Sequence, residues 1–215
     1  MDIAAAVDQL NRLLPLKRQQ DALASPLRAL HRDILRGFAE AGVPPTRAQI
    51  AATPGLGDVD AALSRLAGAD LIVLAADRAT ITGAYPFTVE PRVHRVQQVN
   101  GQAVHAMCAL DALAIAPLFG TGTRIDSRCH VSGQPITIHR QDARVTEVRP
   151  ADPRVGIRWQ GTAGCAAQSL CLEMVFLQDR ATAEAWRQTD PDNISLFDLP
   201  GTVRCGAAYF RPLLA

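Results

Sequence analysis

In the stretch HAMCALDALAIAP, residues 105–117, a cysteine stands three residues ahead of an aspartate with only alanine and leucine between them. At that spacing Cys108 and Asp111 share one face of a helix. The thiol falls where a strand-like run hands over to helical spacing, so it would occupy the first helical turn. There the positive end of the helix dipole favours a thiolate, and a pKa lowered toward neutrality is expected. A carboxyl group within reach can take or give a proton. The pair thus offers a sulfur ligand or nucleophile beside a proton carrier. The alternative is structural: a buried cysteine acting as a small hydrophobe, and an aspartate steadying a helix start. Spacing alone leaves both open.

The remaining thiols narrow the chemistry. Cys129, Cys165, Cys171 and Cys205 complete a set of five, with no C-x-x-C pair among them. An odd, unpaired set argues for free thiols over a disulfide framework, and it lacks the commonest zinc and thioredoxin patterns. A cysteine hydrolase needs a histidine base and an oxyanion hole. His31, His94, His105, His130 and His139 fall in no such signature and read as surface or packing residues. Two or three thiols with a carboxylate suit a soft ion. Mercury(II), which prefers two thiolates in near-linear array, can draw them from distant parts of a chain.

Composition sets the frame for these residues. The 215 residues carry 20% charged and 48% apolar side chains, which suits a globular protein with a substantial core. A formal net charge of +1 gives no general attraction to nucleic acid or anionic membrane. Lys17 is the only lysine, arginine supplying the other cations. No apolar run reaches 18 residues, and the opening MDIAAAVDQLNRLLPLKRQQ lacks the basic-then-apolar order of a signal peptide. A cytoplasmic location is expected.

The elements fall into two regions. Residues 1–83 read as helices closed by a short hairpin. SPLRALHRDILRGFAEAG has Ser25 as N-cap, Pro26 at the first helical position and Gly42 as its stop; TRAQIAATPG and DVDAALSRLAGADL follow, then two short strands in LIVLAADRATITG. Three helices and a two-stranded wing make a winged-helix-like order. Its candidate recognition helix carries one arginine against three aspartates, which would repel a duplex, so the module is expected to be structural. Residues 84–215 read as an α+β domain on a mostly antiparallel sheet with flanking helices. Asn100-Gly101 and Ser132-Gly133 mark two hairpins, ARVTEVRP and RVGIRWQ supply further strands, and Asp179 caps a short helix. LPGTVRCGAAYFRPLL closes the chain as a helix, while SLCLEMVFL fits either strand or buried helix.

Three stretches in order, MCALDALAIAPLFG, SRCHVSGQPITI and QSLCLEMVFL, resemble the organomercurial (alkylmercury) lyases. The likeness covers nearly all of the second region, including its AEAW and FRPLL segments, and fits a winged-helix-like first region that is not a DNA reader. It implies an enzyme that cleaves carbon–mercury bonds by protonolysis, releasing a hydrocarbon and leaving Hg(II) on two cysteines. By motif the catalytic and mercury-holding set is Cys108, Asp111 and Cys171, while Cys129 matches a cysteine with a structural role. Leu172 departs from relatives that carry a second cysteine there, and Cys165 and Cys205 match no family motif. The resemblance further implies no organic cofactor, an organomercurial substrate, cytosolic thiols or mercuric reductase as the metal's acceptor, and no nucleic-acid or membrane partner. The competing reading is a non-catalytic soft-metal binding or sensing protein of the same fold.

Overall fold

A computed structural model describes residues 1–120, 122–141, 144–161 and 164–215. Five helices come first: α1 (Ile3–Leu13), α2 (Leu16–Asp21), α3 (Ser25–Ala41), α4 (Arg47–Ala51) and α5 (Val59–Gly68). The short strands β1 (Val73–Leu74), β2 (Ile81–Ala84) and β3 (Phe87–Thr88) follow, then β4 (His94–Gln98) and β5 (Ala103–Ala106). Next come α6 (Ala109–Phe119), β6 (Thr123–Arg128), β7 (Pro135–Gln141), β8 (Arg144–Arg149) and β9 (Arg154–Arg158). The chain ends with β10 (Met174–Leu177), α7 (Arg180–Arg187), β11 (Ile194–Phe197) and α8 (Leu199–Phe210). Among the described residues no helix is long and apolar enough to cross a membrane.

Local chemistry sets most boundaries. Thr46 and Gln49 close a capping box on α4, and Asp179 accepts the Thr182 amide to start α7. Gly42 ends α3 in the left-handed region at φ 75°, as expected of a glycine stop. The cap of α3 is Ala24, one residue earlier than the serine expected, and Ser25 opens the helix with Pro26 inside the first turn. Both predicted hairpins form, β4–β5 and β6–β7. SLCLEMVFL is neither one strand nor one helix. It divides into a single 3-10 turn over Leu170–Glu173 and then β10. β3 and β11, absent from the sequence reading, are two and four residues long and too short to show a period.

Among the described residues all pairings are antiparallel, in two sheets: an eight-stranded one ordered β1-β2-β3-β5-β4-β6-β7-β8, and a three-stranded one ordered β10-β9-β11. The larger sheet runs unbroken from the β1–β2 pair into β3 through the Gly83–Thr88 and Ala84–Phe87 pairs.

Helix α6 lies at the centre, buried from Ala109 to Pro117, packed on α8 and on β4, β5 and β10. Two features hold it there. Pro117 has no N–H to give the Leu113 carbonyl four residues back, and the buried Arg140 of β7 donates to that carbonyl instead. Against α8, Gly206 lets the two helices meet closely: a Cβ there would lie 2.9 Å from the Ala114 Cβ.

Candidate active site

Cys108 is the N-cap of α6, a position usually held by Ser, Thr, Asp or Asn. Its backbone is extended, and its Sγ accepts the Asp111 amide at 3.3 Å. The i, i+3 spacing that drew attention in the sequence is therefore a capping contact. It also turns the Asp111 side chain toward the same sulfur.

Cys171 arrives from the 3-10 turn that precedes β10, sixty-three positions further along the chain. The Sγ atoms of Cys108 and Cys171 and a carboxylate oxygen of Asp111 all lie within 4.8 Å of one another. This is the one such metal-capable group among the described residues, and it contains no histidine. All three residues are buried, Asp111 at 2% exposure. Met174, unremarked in the sequence, completes the sulfur environment: the Cys108 thiol donates toward its Sδ at 3.7 Å. A methionine in an apolar run carries no signal that separates this contact from ordinary core packing.

Burial dominates the electrostatics. It pushes the Asp111 carboxyl up to about 8, although its hydrogen bond with the Cys108 thiol pulls the other way. Asp111 Oδ2 has no hydrogen-bond partner among the described residues, an unusual condition for a buried carboxyl. The Cys108 thiol lies well above its ordinary range, through burial first, then its contact with Cys171 and the nearby Asp111 charge. This corrects the expectation of a thiol acidified by the helix dipole, because desolvation at a fully buried N-cap outweighs a dipole effect of about 1 kcal/mol. At Cys171 the hydrogen bond with Cys108 favours the thiolate, but burial and the carboxylates of Asp111 and Asp70 prevail, and its pKa is raised too. Both sulfurs are therefore thiols at neutral pH.

A cavity of about 520 Å³ reaches this group, with Cys171, Met174, Met107 and His94 among its lining and Arg92 and Leu172 also on its wall. Leu172, the departure from the family pattern, is half exposed there. Cys129 lines the same cavity from the β6–β7 turn but stands outside the metal-capable group. Cys205 is buried on α8, and its pKa is raised to about 11 by burial. Cys165 is half-buried beside Tyr85. His94 is buried on Ser127 and Phe176, and His31 is buried beside Gln20, both as packing residues.

The fold and the site together define an α+β protein that buries a carboxyl against two thiols, a donor set that could hold a soft metal ion. The family model described as alkylmercury lyase matches residues 87–211, and the chain belongs to that family. Among relatives, the alkylmercury lyase of Pseudomonas putida is 32% identical over 96 residues, 45% of each chain. That of Streptomyces lividans is 28% identical over 115 residues, 54% of this chain and 53% of the other. The chain thus spans about half the length of the curated relatives it matches. The crystal structure of the mercury-bound form of MerB2 shares the fold, with a TM-score of 0.78 over 93% of this chain and 98% of that one at 19% identity.

Proposed function

We propose that the chain is an organomercurial lyase that breaks carbon–mercury bonds by protonolysis. The observation that carries this reading is Asp111: a buried carboxyl, protonated up to about pH 8, packed against two thiols. A protein that only traps Hg(II) needs thiols and has no use for a proton donor in a dry pocket.

The steps follow from the donor set. R–Hg⁺ enters the cavity and binds the Cys108 sulfur, displacing the thiol proton. Cys171 joins as the second sulfur, and the two displaced thiol protons leave through the cavity to solvent, while Asp111 keeps its own. Each sulfur donates electron density to mercury and weakens its bond to carbon. Asp111 then delivers a proton to that carbon, the carbon–mercury bond breaks, and R–H leaves. Hg(II) stays on Cys108 and Cys171 beside the Asp111 carboxylate. The reaction calls on no organic cofactor. The metal passes from the two sulfurs to cytosolic thiols or to mercuric reductase, which places the protein in the cytoplasm. Residues 1–83 act as a structural module: the exposed cation of α4, Arg47, is paired with Asp60 of α5.

The test is release of methane from methylmercury, or benzene from phenylmercury, by purified protein in excess small thiol. Release should vanish in Cys108→Ser and in Cys171→Ser. In Asp111→Ala it should fall at least about a hundredfold while mercury still binds, the usual scale for loss of a positioned proton donor. Tight mercury binding by the parent protein without hydrocarbon release would instead establish a soft-metal binding or sensing protein.

A further inference from the structure

Cys171 stands on a segment with little regular structure to hold it. The chain from Cys165 to Glu173 consists of two 3-10 turns, Ala166–Gln168 and Leu170–Glu173. Such turns leave their first amides without intrahelical partners. Cys165, at the cap position of the first turn, offers no side-chain cap. The missing acceptors come from far back in the chain. The Ala166 amide donates to Asp70 Oδ2 at 3.0 Å, and the Ala167 amide donates to the Tyr85 hydroxyl oxygen at 2.9 Å. Tyr85 in turn donates to Asp70 Oδ1 at 2.9 Å.

The proton count closes this network. A tyrosine hydroxyl has one proton and two lone pairs. Its proton goes to Asp70 and one lone pair takes the Ala167 amide, so at 3.4 Å the Cys165 thiol is the donor to the other. Tyr85 is 1% exposed, with every hydrogen-bonding position of its hydroxyl used. Asp70 sits in the turn between α5 and β1 with φ 50°, a left-handed conformation that aspartate tolerates better than most residues. Past the anchored amides the segment is tied to itself: the Ser169 hydroxyl donates to the Cys165 carbonyl at 3.1 Å, and the Leu172 amide to the Ser169 carbonyl at 3.0 Å. Cys171 lies inside that last loop.

We propose that Asp70 and Tyr85 are positioning residues that cap the 165–168 turn from outside and so hold the Cys171 sulfur against Cys108 and Asp111. Asp70 lies in the helical N-terminal region, which is then a working part of the site. The inference rests on the reading of Cys171 as the second sulfur ligand of mercury. Because Cys171 joins after Cys108 has bound the substrate, loosening its segment slows the chemical step and leaves initial capture alone.

The test uses Tyr85→Phe, Asp70→Ala and Asp70→Asn in the full chain, with phenylmercury turnover and the alkylation rates of Cys171 and Cys205 read by mass spectrometry. In Tyr85→Phe and Asp70→Ala, each of which removes the acceptor of one turn amide, kcat should fall about tenfold with KM unchanged, the scale of one lost capping hydrogen bond. Cys171 alkylation should rise by a similar factor while Cys205, buried on α8, stays slow. Asp70→Asn keeps an acceptor for Ala166 and should restore most of the turnover. Unchanged kcat and Cys171 reactivity in folded Tyr85→Phe and Asp70→Ala would overturn the proposal. So would Cys205 reacting in step with Cys171, which marks general unfolding. A parent protein that releases no benzene defeats the lyase reading, whereas the alkylation comparison still decides whether the two residues hold the segment.

Discussion

Burying Asp111 gives it a use and a cost. The folded protein keeps its proton up to about pH 8, whereas an exposed aspartate with the ordinary value of 3.8 is ionised well below neutrality. Between those limits the folded state binds a proton that the unfolded chain does not. The stability tied to this group is therefore complete below about pH 4 and is lost as pH rises through 8, by up to about 1.4 kcal/mol per pH unit. Asp111→Asn removes the titration and nearly keeps the shape. Urea unfolding between about pH 5.5 and pH 7.5 should show a stability that falls less steeply in this variant than in the parent. Equal slopes would mean that Asp111 is ionised in the folded protein near neutrality, and the proton-delivery role would lose its basis. The same burial raises the pKa of the Cys108 thiol where its position at a helix start predicts a lowered one. Its place at a helix start was legible in the sequence, but the dryness around it was not, and dryness decides the direction of the shift.

At the level of elements, α6 carries both Cys108 and Asp111, so its seating sets their geometry. It packs on α8 where Gly206 faces Ala114 and Leu110. Replacing Gly206 with Ala puts a methyl group 2.9 Å from the Ala114 Cβ and 3.5 Å from the Leu110 Cδ1, closer to Ala114 than packed carbons settle. Overpacking of this kind costs about 1–3 kcal/mol, and the better helix propensity of alanine returns up to about 1 of that. The variant should melt several degrees lower and lose turnover at temperatures where it is still folded, because α6 must shift relative to Cys171. A melting temperature and a kcat equal to the parent's would show that α8 yields without moving α6. Gly206 lies in a stretch the sequence marks as helical, and that it sits at a helix crossing depends on the partner helix.

For the whole molecule, the N-terminal helices are fastened to the C-terminal end as well as to the Cys171 segment. The Tyr209 hydroxyl donates to the Leu14 carbonyl, Gln20 donates to the Leu213 carbonyl at 2.8 Å, and Arg32 donates to the Ala215 carbonyl at 2.7 Å. Apolar side chains from both halves share one continuous core. Unfolding should accordingly be a single transition. The two tryptophans, Trp159 and Trp186, report on the C-terminal half, whereas much of the helical circular dichroism comes from α1 to α5. Fluorescence and dichroism melts should coincide. A separate, earlier loss of helix would show that the first eighty or so residues fold as an independent unit.

Some of this protein is written in local sequence. Helix stops and caps, the Asn-Gly and Ser-Gly hairpins and the Cys-x-x-Asp spacing all act over a few residues, so the chain itself specifies them. Family motifs singled out Cys171, although nothing near it in the sequence says that it faces Cys108. Packing decided the rest. It split SLCLEMVFL into a turn and a strand, because the apolar run is satisfied by a sheet on one side and must bring a thiol to α6 on the other. It seated Met174 beside Cys108, used Arg140 for the carbonyl that Pro117 leaves open, and raised the pKa values of a carboxyl and two thiols. Those outcomes depend on which distant atoms exclude water from a side chain, and solvent exclusion arises only when the chain closes on itself.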